Sequence, residues 1–358
     1  MNALNPSMLV IARECRAYTQ EQLCRSLGIA QGTISKIEHG QLDPAPELVE
    51  RIGRELGYPT SFFFERWDHR NLPVTFYRKR AAARAKNVKQ IAARVNVLRM
   101  RAAKLLAAAN IPECRIRPLN VIDFHGGAPS IAAEMRIAWD IPSGPIDNMI
   151  RLVESLGVLV IRCDFGLDEM DAISVYREED QIPPVIFINS TAPGDRLRFN
   201  VAHELGHLLM HAHLTLPPDS AEDEANAFAS AFLMPSEIRA LIPSRGIALS
   251  QLAALKLQWK VSMGAIIMRG ADLGRVTESQ KRSLFIQLGR AGFRKSEPYP
   301  IPREEPTLIK ELIEFHLRDL GYSHDQLSAA LVSSTAEFRS DFLGRSLGVV
   351  QLQASQQE

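Results

Sequence analysis

The residues with the clearest capacity for chemistry lie between Arg196 and His211, RLRFNVAHELGHLLMH, a helically periodic stretch that contains His203-Glu204-Leu205-Gly206-His207. Residues four apart on a helix sit about 40° round from one another and about 6 Å along its axis, so both imidazoles can reach one ion from the same face. Glu204 is poorly placed as a third ligand. It is well placed to take a proton from water held by such an ion. Val201, Leu205, Leu208 and Leu209 form an apolar stripe at spacings of three and four, which gives the helix a buried face beside these groups. The bland alternative is an ordinary helix with two surface histidines.

A catalytic zinc needs a third protein ligand and an open position. A second periodic run, through Ala225, Phe228, Ala229 and Phe232, stops at Pro235. Glu222 and Asn226 share a face of it, whereas Glu224 lies about 200° round from Glu222. Glu222 is therefore the candidate ligand, and Asn226 a group able to fix a ligand's orientation. A solvated helix face is the competing reading for either glutamate.

Together, RFNVAHELGHLLMH and EDEANAFASAFLMP resemble the ImmA/IrrE family of metallopeptidases, across residues 119 to 240. The resemblance implies an α+β, zincin-like fold, Zn²⁺ held by His203, His207 and Glu222, and Glu204 as general base. It assigns no group to the stabilisation of an oxyanion.

The chain of 358 residues, 46% of them hydrophobic, has room for two or three domains around such a site. It lacks both an uninterrupted apolar stretch of about 18 residues and a charged-then-apolar leader, which predicts a cytoplasmic protein without a membrane partner. Cys15, Cys24, Cys114 and Cys163 lie far apart, against a disulfide framework or a thiolate metal site. Net charge is only +1, but it is unevenly spread. Residues 1–68 hold seven Lys/Arg against nine Asp/Glu, whereas residues 69–112 hold eleven Lys/Arg and no acid. That asymmetry points to an anionic partner for the front of the chain.

Short helical pieces fill the first 66 residues. One begins at a Thr19 cap with Gln22 three positions on and ends at Gly28; the next is predicted over Gln31 to Glu38 and stops at Gly40. Two short helices about a glycine-containing turn make a helix-turn-helix. Pro46 to Leu56 and Phe62-Phe63-Phe64 complete its core. Residues 7–66, chiefly TQEQLCRSLGIAQGTISKIEHGQ, resemble the phage-repressor (Xre) type. The resemblance implies contact with double-stranded DNA through Gln20, Gln31, Thr33, Ser35 and Lys36. Gln can pair in bidentate fashion with adenine, and Ser, Thr and Lys suit phosphates or guanine edges. Gly32 stands where a contacting side chain is usual. A helix-turn-helix used for dimerisation is the alternative.

From Phe76 to Ala109 an Ala-rich stretch without Gly or Pro predicts one long cationic helix, either a DNA-backbone arm or a linker helix packed on the peptidase body with its charges solvated. β-branched runs at 157–162, 172–176 and 184–189 predict a small sheet beside the histidine helix, with an edge able to take an extended peptide. Arg196 and Arg198 suit structural pairs or substrate contacts equally. Beyond Pro235 helices alternate with breakers, and Glu297 to Pro302 reads as a linker.

The expected architecture is multidomain. An all-α helix-turn-helix domain (1–68) leads through a basic linker helix (69–118) to an α+β zincin-like metallopeptidase domain (119–240) and a helical C-terminal region (241–358). The expected function is a DNA-binding zinc endopeptidase that binds a two-fold operator as a homodimer and cleaves a helix-turn-helix repressor. The alternative is a transcriptional regulator whose zinc domain senses and cuts nothing. Glu204 favours the peptidase, because a binding-only site has no need of a base.

Overall fold

The computed structural model describes residues 3–67, 85–109, 111–166, 170–176, 182–189, 191–294 and 296–343. These fall into two units: 3–67 with 85–109 and 309–343, and 111–308.

In the first unit, helix α1 (Pro6–Cys15) starts at Asn5, whose side chain accepts from the Ser7 amide. Helix α2 (Gln20–Leu27) has the anticipated reciprocal cap between Thr19 and Gln22 and ends at a left-handed Gly28. Helix α3 is Thr33–Glu38, two residues shorter at its start than expected. Gly32 is the reason, since its φ of 84° lies outside the helical region. Helix α4 (Pro46–Leu56) and a 3₁₀ turn at Thr60–Phe64 close the bundle over Met8, Leu9, Leu23, Ile34, Ile37, Ile52, Phe62 and Phe63.

Helix α5 (Ala85–Leu106) is part of this same unit, and its Ala93, Val97 and Met100 enter the same core. Residues 76–84 of the expected long helix lie outside the described residues. Lys89 of α5 is exposed, but several of its other described cations turn inward to acids of this unit. Arg101 is fully buried and donates to Asp341 at 2.6 Å and Glu337 at 3.0 Å, Arg94 reaches Asp341 at 2.5 Å, and Lys104 reaches Glu65 at 2.9 Å. Over its described residues α5 thus packs with the helix-turn-helix through buried ion pairs, and not on the peptidase body with solvated charges as the linker reading expected. The acids that meet Arg94 and Arg101 come from the last part of the chain, where α13 (Leu308–Arg318), α14 (His324–Ala330) and α15 (Thr335–Phe338) precede Asp341. The expected C-terminal region is thus divided, its last helices packing with the helix-turn-helix and residues 241–308 with the second unit.

The second unit contains α6 (Ala128–Ala138), α7 (Met149–Ser155) and the three expected strands, β1 (Leu159–Cys163), β2 (Ala172–Val175) and β3 (Val185–Asn189). The sheet order is β1-β3-β2, with β1 parallel and β2 antiparallel to β3. Every β3 residue is buried, as a central strand covered on both faces requires. Helix α8 (Gly194–Met210) presses Val201, Leu205 and Leu208 into the core shared with Ile186 and Ile188. Helix α9 (Ala221–Leu233) follows, then α10 (Leu249–Trp259), α11 (Met263–Asp272) and α12 (Glu278–Arg290).

Pro235 prevents α9 from continuing, and its last carbonyls are met by two buried arginines: Arg136 donates to Phe232 O at 2.7 Å and Arg269 to Met234 O at 2.8 Å. The segment expected to be a linker is instead fastened to this unit. Glu297 accepts from buried Lys256 at 2.8 Å and from the Met263 amide at 2.9 Å, capping α11, while Lys256 also pairs with Asp195 at the start of α8. Arg196 pairs with Asp171 at 2.7 Å, and fully buried Arg198 donates to Ile146 O at 2.6 Å and pairs with Glu304. Both arginines have structural partners.

Candidate metal centre

Helices α8 and α9 bring His203, His207 and Glu222 together, with one donor atom from each inside a 4.8 Å sphere of mutual distance. His203 Nε2 and His207 Nε2 are 3.0 Å apart, and the Glu222 carboxylate lies 3.5 Å and 3.3 Å from them. Tetrahedral ligands bound to zinc at 2.0–2.1 Å stand about 3.3–3.4 Å from one another, so the three separations suit one such ion. The approach of the helices that makes this possible occurs at Gly206. A Cβ there would meet the Phe228 ring at 3.0 Å and Ala225 Cα at 3.4 Å.

The groups behind the histidines decide where their protons sit. His203 Nδ1 is 2.9 Å from Asn226 Oδ1, an acceptor, so His203 carries its proton on Nδ1 and a lone pair on Nε2. His207 Nδ1 is 2.9 Å from His211 Nδ1, and His211 Nε2 is 2.9 Å from the Glu224 carboxylate, which also accepts from Ser220 Oγ at 2.7 Å. Glu224 can only accept, so His211 donates from Nε2 and offers the bare Nδ1 to the N–H of His207. These tautomers are assigned from the hydrogen-bond network. Burial lowers the His211 pKa, in keeping with its neutral form. Burial pushes the Glu224 carboxyl up, but the hydrogen bonds from His211 and Ser220 outweigh it and leave the pKa lowered. Sequence spacing leaves His211, one turn past His207, either touching the site or merely packing, and turns Glu224 away from Glu222; the relay between the two is not legible in it. A trace of it is the third histidine four residues past His207.

Glu204 is buried beside the donors, and its Oε2 accepts both the amide of Ser174 at 2.8 Å and its hydroxyl at 2.7 Å. Ser174 sits on the edge strand β2, so its N–H points off the edge of the sheet toward α8. In the first unit, Gln31 and Lys36 are exposed on α3 or just before it, and Thr33 and Ser35 are half-buried. Gln20 is otherwise engaged: it donates to Glu38 at 2.5 Å, and Arg13 holds the same carboxylate at 2.6 Å.

The fold and the site thus define a class, a helix-turn-helix unit joined in one chain to a metallopeptidase-like unit. Residues 153–269 match the Peptidase_M78 family, described as the IrrE N-terminal-like domain, and residues 11–63 match the Helix-turn-helix family HTH_3. The chain carries an ImmA/IrrE-like domain behind an Xre-type domain. The first match extends to α11, past the boundary at 240 expected from the motifs. No curated protein matches the chain. Among the described residues, no helix is long and apolar enough to cross a membrane.

Proposed function

We propose that this chain is a DNA-binding zinc endopeptidase of zincin type that regulates transcription by cutting a helix-turn-helix repressor. One observation carries the metal. Two imidazole lone pairs face each other at 3.0 Å with a carboxylate beside both, an arrangement that repels itself unless a cation lies among the three. When bound, zinc supplies Lewis acidity, which polarises a carbonyl and makes water a better nucleophile at neutral pH. His203, His207 and Glu222 would hold it. Ser174 holds Oε2 of Glu204 and fixes the carboxylate, which is the group assigned to take the proton of the attacking water and later deliver it to the leaving amine. The edge position of β2 in the sheet supports an extended substrate laid beside it.

Asn226 and the His211–Glu224 relay hold the two imidazoles in the zinc-binding tautomer. His211→Ala is expected to weaken zinc binding by about 10–100-fold, the usual cost of losing such a partner. Competition against a chromophoric chelator measures it, and an unchanged affinity would reduce His211 to packing.

On DNA, Gln31 and Lys36 are the exposed members of the proposed contact set, and a dimer would place half-sites one helical turn apart. Gln31→Ala is expected to cost about 1–3 kcal/mol and to relax specificity at one base pair. A titration on an operator with each base pair varied in turn reads both effects; uniform weakening would instead make Gln31 a phosphate contact. The pairing of reader and protease suggests that DNA tethering raises the local concentration of enzyme near its substrate. The functional test compares cleavage of a candidate repressor with and without its operator fragment, by the intact chain and by Gln31→Ala. Equal rates in all four reactions would remove the tethering idea.

A further inference from the structure

Within the second unit a cleft of about 990 Å³ opens beside α8 and α9, lined in part by Arg196, Asn200, Asn226 and Ser230. Its place relative to the donors follows from helix geometry. Arg196, Asn200, His203 and His207 fall at i, i+4, i+7 and i+11 of α8, one continuous stripe. Glu222, Asn226 and Ser230 fall at i, i+4 and i+8 of α9. The helices run antiparallel, because His207 meets Glu222 while His203 meets Asn226. The cleft is therefore the continuation of the groove that holds the donors, beginning about one helical turn (~5 Å) N-terminal to His203. Asn226 belongs to both, accepting from His203 and lining the cleft. Strand β2 begins at the same end, since Arg196 pairs with Asp171 while Glu204, two turns on, meets Ser174.

A chain laid along the edge strand β2 and across the donors would thus run into this cleft. Its walls include Phe199, Met268, Phe293 and Ile301. Of the charges that also line the cleft, Lys256 is neutralised by Asp195 and Glu297 and Arg196 by Asp171, while Asp223, Asp272, Arg294 and Arg303 stand around the same apolar walls. We propose that the cleft binds the polypeptide flanking the scissile bond and receives an apolar side chain from it. This rests on the peptidase reading above. It makes the substrate segment one with a Leu, Met or Phe at a fixed distance from the cut.

Met268 is the residue to change, since it is 45% exposed and alterable without disturbing the core. The full-length, zinc-loaded Glu204→Gln chain is immobilised and offered acetylated, amidated decapeptides randomised at every position. Bound peptides are expected to be enriched in apolar residues at one position. Adding Met268→Asp should lower that enrichment by about tenfold or more, within the range for disrupting a hydrophobic pocket, and favour Lys or Arg there instead. Adding Met268→Trp should narrow the preference to smaller side chains. No positional preference in the parent, or the same preference in both variants, overturns the assignment. Cleavage of the same mixture by the chain with Glu204 intact is read separately. Binding that responds to Met268 without any cleavage would support the cleft and sink the peptidase reading; cleavage with a preference that ignores Met268 would do the reverse.

Discussion

Glu204→Gln is expected to retain its zinc while losing about 10²- to 10⁴-fold in peptide hydrolysis, the range attributable to a positioned general base. Glutamine nearly matches the shape of glutamate and can still accept from Ser174 through its amide oxygen, so the fold of β2 against α8 is preserved. What it lacks is a basic oxygen to take the proton of water. Glu222→Ala should behave in the opposite way, because it removes one of three donors, so zinc content and hydrolysis should fall together. Metal analysis alongside turnover of one peptide separates the two roles. Full zinc in Glu222→Ala would remove that residue from the ligand set, and near-normal turnover by Glu204→Gln would leave the chain without its proposed base.

Arg101→Ala is expected to destabilise the first unit by about 3–5 kcal/mol, the usual cost of leaving a buried charge without its partner. The Arg101 side chain is fully buried, and so, to within 1%, is that of Asp341. Its loss would leave Asp341, among the described residues, with Arg94 as its ion-pair partner. Burial pushes both carboxyls up, yet Arg101, Arg16 and Arg94 bring the Glu337 pKa below its ordinary value, whereas that of Asp341 remains raised despite Arg94 and Arg101. The stability owed to Glu337 is therefore present above the ordinary carboxylate pKa and is lost as pH falls through its lowered folded value. Asp341 works the other way, gaining stability as it protonates. Urea unfolding followed by far-UV circular dichroism measures the loss, and Arg101→Met with Asp341→Leu should recover part of it, since no unpaired carboxylate then remains at position 341. A change below about 1 kcal/mol for Arg101→Ala would mean that water reaches the pair and screens it as on a surface.

Local rules sufficed for much of this molecule. The cap at Thr19, the stop at Gly28, the Pro at the start of α4 and the three β-branched runs each depend on residues within a turn or two, and the structure has those elements there. The candidate donors were legible as a group for the same reason. Two histidines four apart share a helix face whatever the helix packs on, and Glu222 and Asn226 share theirs. The direction in which the cations of α5 point was not legible, because it depends on acids at 337 and 341, more than 200 residues away along the chain. The same holds for Glu297, whose Pro-flanked sequence reads as a linker until Lys256 is brought beside it. The relay from Ser220 through Glu224 and His211 to His207 joins two helices across the loop between them, so helical phase, which turns Glu224 away from Glu222, does not say what Glu224 meets instead. The sequence by itself determined which atoms can bind a metal or move a proton, since these are properties of residue type and local spacing. Only the tertiary structure decided which tautomers they adopt, which oxygen of Glu204 is held by Ser174, and that Asn226 both accepts from His203 and lines a cleft, because each of these depends on what a second element brings close.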